Sequence, residues 1–157
     1  MSVINGLSKQ RGFSLVEVLI ALVIMSVGML GIAGLYVQSL QAGRTSMFRH
    51  QAVSLAGDVA DRIRANPIAG VAYAGLGANN NCVAANVDCD AAGMAANDIW
   101  VWDMQAVNSL PNGDVVVNFD GSVAPPIYTI TVNWNEPGMT ALSIPPSYGI
   151  SIPVNPF

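Results

Sequence analysis

The feature that most constrains this chain is a run of 26 uncharged residues, 18 to 43, that begins directly after a lone carboxylate, Glu17. Residues 13–37 are apolar with few exceptions, and they contain no proline, so one continuous helix is allowed. A membrane-spanning helix needs about 20 consecutive apolar residues. The sequence therefore predicts a transmembrane helix over residues 13–37.

A short polar leader, residues 1–12, precedes this segment and carries Lys9 and Arg11 next to the apolar run. Positive charge at this place holds the N-terminal end on the cytoplasmic side of the inner membrane. A secretory signal peptide begins in the same way, but its apolar region is only about 7 to 15 residues long. The longer segment favours a single-pass anchor with a periplasmic C-terminus.

The helical pattern continues beyond the apolar run and becomes amphipathic. Apolar residues recur there at spacings of three or four, which places them on one face of a helix: Phe48, Ala52, Leu55, Val59 and Ile63. The pair Asn66-Pro67 predicts the end, because the residue before a proline avoids helical geometry. We predict one helix over residues 13–66, with its second half packed on a soluble domain.

The charges are strongly segregated along the chain. Residues 1–64 contain all six lysines and arginines and three acids, whereas residues 65–157 contain seven acids and no lysine, arginine or histidine. A region without bases cannot neutralise phosphates, so nucleic acid is excluded as a partner of this part. Its acidity is equally consistent with plain solubility.

Residues 67–157 predict a small periplasmic globular head. Residues 67–94 are rich in Gly, Ala and Asn and are expected to form a loop, and residues 97–110 a short helix with Asn97 as its cap. Three strand patterns follow at 115–119, 127–134 and, more weakly, 148–154. Short connections predict an antiparallel meander, so the fold class is α+β: a long N-terminal helix on a small antiparallel sheet.

The two cysteines, Cys82 and Cys89, lie in the predicted loop. An even pair close in sequence, in an exported domain, favours a disulfide; two free buried thiols are the alternative. The only histidine is His50, so a zinc site lacks ligands.

The sequence indicates no catalytic arrangement of side chains. With its single histidine on a packed helix, the chain offers no Ser/His/Asp or Cys/His arrangement, and Asp88 with Asp90 falls well short of the roughly six to eight oxygen ligands of calcium. The three tryptophans are expected mainly in the core: Trp100, Trp102 and Trp134. We predict no enzymatic activity, no cofactor and no metal.

Glu17 is the residue that most needs an explanation. A carboxylate near the end of an apolar span is costly without a partner, and snorkelling to the interface is the simplest alternative. If the chain is cut after Gly12, Phe13 gains a free α-amine. Such an amine could pair with Glu17 of a neighbouring copy, which would fix the register between bundled apolar helices.

The stretch Gly12-Phe-Ser-Leu-Val-Glu-Val-Leu-Ile-Ala-Leu22 closely resembles the class III signal of type IV pilins and type II secretion pseudopilins. The resemblance implies that a prepilin peptidase cuts between Gly12 and Phe13 and methylates the new Phe13 amine. It also implies that Glu17 serves assembly into a filament.

Further matches resemble minor pilins of the PilV kind: Val27-Gly-Met-Leu-Gly-Ile-Ala-Gly-Leu35, Ala96-Asn-Asp-Ile-Trp-Val-Trp-Asp-Met104, Leu110-Pro-Asn-Gly113 and Tyr128-Thr-Ile-Thr-Val-Asn-Trp134. Major pilins usually carry a proline in the apolar helix and a disulfide-bounded C-terminal loop, and this chain has neither pattern. The resemblance implies a minor subunit in a priming or tip complex, supporting pilus assembly, adhesion or motility. Its partners would be other minor pilins, the major pilin and the inner-membrane platform of the assembly machine. A type II secretion pseudopilin is the alternative, and an anchored periplasmic enzyme is a more distant one.

Overall fold

The structure, a computed structural model, describes residues 12–84, 87–136, 139 and 144–155. The chain divides into two compact units, residues 1–43 and residues 44–157, and we call the second the C-terminal unit. The elements in chain order are α1 (Leu15–Ala65), a 3-10 helix (Pro67–Ala74), α2 (Ala91–Ser109), β1 (Asp114–Asp120), β2 (Ile127–Asn133) and β3 (Ser147–Pro153). A long helix and a three-stranded antiparallel sheet confirm the predicted α+β class.

The long helix ends where the sequence predicts. Its last residue is Ala65, and Pro67 opens the 3-10 helix that follows. The predicted amphipathic face is buried from residue 52 onward, and alanines on the same face are buried with it: Ala52, Leu55, Ala56, Val59, Ala60 and Ile63. Because three of these six side chains are alanine, the rest of the C-terminal unit can pack close to the α1 backbone.

The predicted start and cap of the second helix are wrong. α2 begins at Ala91, and Asp90 is its cap, because the Asp90 carboxylate accepts a hydrogen bond of 2.7 Å from the Gly93 amide. Asn97 lies inside the helix and is buried. The composition of the segment before Asn97, rich in Gly, Ala and Asn, predicts a loop, but burial of Ala95 in the core stabilises the extra turns.

The predicted loop over residues 67–94 is also wrong at both ends, since it contains the 3-10 helix and the first turn of α2. Between these two elements lies the Cys82–Cys89 disulfide, which confirms the predicted bond. The disulfide joins two residues seven positions apart and closes a short loop in the connection from α1 to α2.

The sheet has the strand order β1-β2-β3, and both neighbouring pairs are antiparallel, as predicted for a meander. β2 is the central strand, and its side chains alternate strictly between buried and half-buried. The inward-facing residues of β2 are Tyr128, Ile130 and Val132. They join the buried faces of α1 and α2 in a single core that also contains Trp102.

A tight turn after α2 sets the direction of β1. Asn112 adopts a left-handed conformation with φ of 49°. Gly113 is buried so closely that a Cβ atom there would collide with the backbone carbonyl of Ala106 in α2. Glycine is thus required here by close approach of two backbones.

Candidate functional site

The residues singled out in the sequence lie at the very start of the described chain. Gly12 and Phe13 are exposed and precede the helix, which begins at Leu15; Phe13 is 83% exposed. Glu17 lies in the first turn of α1 and is also exposed. The predicted leader falls almost entirely on residues 1–11, which lie outside the described residues.

The position of Glu17 is electrostatically favourable for a helix start. The first helical turn leaves backbone N–H groups without helical acceptors, and the helix dipole is positive at this end. The first backbone bond of the turn runs from the Val18 amide to the Ser14 carbonyl at 3.2 Å. A carboxylate in this turn therefore has a local stabilising partner before any contact with another subunit.

Beyond Glu17 the exposed surface of the helix is mostly apolar as far as Val37. Every residue from 12 to 44 is exposed, and the most apolar 18-residue window of α1 has a mean hydropathy of 2.6. Leaving so many apolar side chains in water is unfavourable by roughly 25 cal/mol per Å². This surface requires a different surrounding, either lipid or the apolar helices of other subunits.

Within the C-terminal unit, a polar network joins α1 to α2 and to the 3-10 helix. The buried Asp98 carboxylate accepts a hydrogen bond from Arg62 Nη1 at 2.8 Å and from the Tyr73 hydroxyl at 3.1 Å. Asp58 lies one turn before Arg62 and contacts its Nε at 3.3 Å. The sequence spacing predicts the Asp58–Arg62 pair but not the Arg62–Asp98 pair, because 36 residues separate the latter two.

Burial and charge shift the titration of this network. Burial alone would lower the pKa of Arg62, but the hydrogen bond to Asp98 and the charges of Asp58 and Asp98 outweigh it and raise that pKa. Burial is the main cause that raises the pKa of Tyr73 far above its ordinary value. The neutral Tyr73 hydroxyl can therefore donate to Asp98, and the network holds α1, α2 and the 3-10 helix together.

Two of the three tryptophans lie in the core, as predicted, whereas the third does not. Trp102 and Trp134 are buried, and Trp102 stacks on Tyr73 with ring centroids 5.7 Å apart. Trp100 is exposed on the opposite side of α2. His50 is exposed on α1. In the part of the chain that the structure describes, no group of three or more His, Cys, Asp or Glu side chains is placed to hold a metal ion.

The chain thus combines a long helix whose first half is apolar and exposed, a carboxylate in the first turn of that helix and a small disulfide-bonded unit. Two models of protein families match it. A model of the prokaryotic N-terminal methylation motif matches residues 7–33, and a model described as Type IV pilin Tt1218 matches residues 34–100. The two matches together span 94 of the 157 residues. Neither the curated proteins nor the solved structures contain a significant match.

The chain belongs to the type IV pilin-like proteins. This family is structural and non-enzymatic, in agreement with the sequence prediction. The methylation motif implies processing by a prepilin peptidase and assembly into a pilus with other pilins, and the apolar helix fits membrane anchoring before assembly.

Proposed function

We propose that this chain is a minor pilin of the PilV kind that enters the pilus through a priming or tip complex. The observation that carries the proposal is the N-terminal half of α1, which is mostly apolar, exposed as far as residue 44 and charged only at Glu17 and Arg44. Residues 13–37 hold the subunit in the inner membrane before assembly, with the C-terminal unit in the periplasm. In the pilus the same surface packs on the helices of other subunits.

The processing step uses the leader, residues 1–12. The peptidase hydrolyses the Gly12–Phe13 bond and methylates the new amine of Phe13. Local structure supports this site, because both residues are exposed and lie outside the helix that begins at Leu15. A protease needs an extended, accessible backbone, and a small residue such as Gly12 leaves room at the scissile bond.

Glu17 then pairs with the cationic amine of Phe13 in a neighbouring subunit. In apolar surroundings this pair replaces the hydration that both charges lose, whereas a carboxylate left alone would oppose assembly. The pair fixes the axial register between two otherwise uniform apolar helices, and register is the best-attested role of such buried ion pairs.

The assignment to a minor subunit rests on the resemblance of several segments and on the place of the disulfide. The Cys82–Cys89 disulfide lies in the connection between α1 and α2. In typical major pilins a disulfide instead closes a C-terminal loop. The partners under this proposal are the prepilin peptidase, other minor pilins, the major pilin and the inner-membrane assembly platform. Under this proposal the leader is residues 1–12, the assembly helix is residues 13–66 and the periplasmic head is residues 67–157.

Replacement of Glu17 tests the assembly step. Glu17→Ala leaves cleavage after Gly12 intact, because the scissile bond and the apolar helix are unchanged. Breaking a buried pair costs about 3–5 kcal/mol, so the amount of subunit in sheared pili falls roughly 100-fold at the lower end of that range. Asp61→Asn removes the same charge from an exposed position on the same helix, and it incorporates normally. Normal incorporation of the Glu17→Ala subunit would exclude the pairing role.

A deletion strain separates the pilus from the type II secretion alternative. Loss of this subunit reduces surface pili or pilus-dependent adhesion or motility and leaves secretion of exported enzymes unchanged. Normal pili together with failed secretion would identify a pseudopilin instead.

A further inference from the structure

Three exposed basic side chains follow the uncharged run of α1, and we call them the basic ring: Arg44, Arg49 and His50. A helix turns by about 100° per residue. With Arg44 at 0°, Arg49 lies at about 140° and His50 at about 240° around the helix axis. The three side chains therefore leave the helix in three well-separated directions and do not form a stripe on one face.

The two arginines of the ring have no acidic partner within the subunit. All ten acidic side chains of the chain belong to the described residues. The ion pairs between side chains in this part of the chain involve only two arginines, Arg62 and Arg64. Arg44 and Arg49 thus keep positive charges that no acidic side chain of the same subunit neutralises.

The ring begins where the uncharged run ends. Residues 18–43 carry no charge, and a helix of this length is about 39 Å long. A bilayer is about 30 Å thick in its hydrocarbon core and about 40–45 Å thick with its headgroups. With Glu17 at one membrane surface, Arg44 lies in the headgroup layer of the other leaflet. Arg49 and His50 follow within about 9 Å, and side chains on a helix lean toward its N-terminus, so both extend back toward the same layer.

We propose that the basic ring binds the headgroups of anionic phospholipids in this leaflet, which is the periplasmic leaflet under the proposed function. Guanidinium groups donate strong hydrogen bonds to phosphate oxygens, and the imidazole of His50 has an N–H that can do the same. A bilayer surface surrounds a helix on all sides, whereas a protein partner contacts one face. The three directions of the ring therefore favour lipid as its occupant.

The acidity of the remaining C-terminal unit adds a repulsion to this attraction. Residues 65–157 contain seven acids and no base. An anionic membrane surface attracts the ring and repels these residues over a Debye length of about 8–10 Å. The two effects together hold the unassembled subunit at one depth and keep its acidic surface away from lipid. The inference rests on the membrane anchoring in the proposed function and is independent of the kind of pilus.

Lipid titration of the full-length chain in micelles, followed by native mass spectrometry, tests the proposal. Phosphatidylglycerol and phosphatidylcholine with the same acyl chains are compared, so that the lipids differ only in their headgroups. An arginine near an anionic surface strengthens binding about fivefold. Arg44→Gln and Arg49→Gln should each weaken phosphatidylglycerol binding by about this factor, and the double variant by roughly 30-fold. Binding of phosphatidylcholine should not change. Lys9 and Arg11 of the leader are present in every variant and cancel in the comparison.

Arg64→Gln is the matched control. Arg64 is an exposed arginine on the same helix, paired with Asp61 at 3.0 Å, and its replacement should leave the binding of both lipids unchanged. Added salt should weaken the preference for phosphatidylglycerol. Inorganic phosphate should not displace the lipid, and displacement would indicate a site for free anions and overturn the proposal.

Two further outcomes would also overturn the proposal. One is equal binding of the two lipids by the unmodified chain. The other is a double variant that keeps its affinity for phosphatidylglycerol but fails to enter pili, which would show that the ring binds an acidic surface of another pilin. Flotation with phosphatidylglycerol vesicles separates the ring from the anchor. A chain that does not float contradicts the anchoring itself, whereas one that floats without a headgroup preference contradicts only the role of the ring.

Discussion

The hydrogen-bonded network of Arg62, Tyr73 and Asp98 gives a quantitative prediction for Asp98→Ala. The Asp98 side chain is only 8% exposed and accepts hydrogen bonds from Arg62 and Tyr73. Truncation to alanine removes the acceptor, so Arg62 Nη1 loses its partner and the Tyr73 hydroxyl keeps only the Arg62 carbonyl at 3.3 Å. Alanine favours helices more than aspartate does, which offsets part of the loss in stability. The control therefore makes the same Asp-to-Ala replacement at another position in a helix.

The magnitude follows from burial. Removing one partner of a fully buried ion pair costs about 3–5 kcal/mol. The Arg62 side chain is 39% exposed and retains Asp58, so we expect a smaller loss, about 2–3 kcal/mol, mainly from the lost charge-assisted hydrogen bonds. The control is Asp61→Ala, which breaks a 3.0 Å pair with Arg64 in which both side chains are more than half exposed. Exposed pairs contribute roughly 0–1 kcal/mol.

Denaturant unfolding of the full-length protein in detergent micelles measures both changes. Buried Trp102 and Trp134 report the unfolding of the C-terminal unit by fluorescence. The account predicts a large decrease in the free energy of unfolding for Asp98→Ala and little change for Asp61→Ala. Similar values for the two variants would refute the argument that burial, and not pair distance, sets the contribution.

Three further changes have defined outcomes. Gly113→Ala forces a methyl group against the backbone of α2 and should lower the free energy of unfolding by about 3 kcal/mol; a change below 1 kcal/mol, read by the same fluorescence assay, would contradict the close approach. Replacing both Cys82 and Cys89 by serine opens the loop that the disulfide closes and should lower the free energy of unfolding by about 2.5 kcal/mol. Reductant should lower the free energy of unfolding of the unmodified chain by the same amount and leave that of the variant unchanged. Hydrogen bonds from Ser122 lower the pKa of Asp120, so these bonds contribute to stability at neutral pH and the contribution is lost as pH falls through the lowered pKa. Ser122→Ala should raise the pKa of Asp120 toward its ordinary value in an NMR titration. An unchanged pKa would exclude this cause.

The sequence predicts most of the secondary structure because the relevant signals are local. Proline at position 67 ends α1 within one residue of the predicted place. The alternation in residues 127–134 predicts β2, and the two flanking strands follow with boundaries that differ by one residue. The buried face of α1 follows from its spacing of three and four residues.

The errors occur where tertiary contacts outweigh local preference. Asn97 has the residue type of a helix cap and predicts a start there, although α2 begins at Ala91 and its packing in the core begins at Ala95. The Arg62–Asp98 pair joins residues that no local spacing connects.

The most direct test of the account is the mass of the N-terminal peptide of the subunit in purified surface filaments. The account predicts that the peptide begins at Phe13, carries one methyl group on its α-amine and is present in filaments at low abundance relative to the major pilin. A subunit that keeps residues 1–12 in cells with an active prepilin peptidase, or one that is absent from filaments although it is processed, would contradict it.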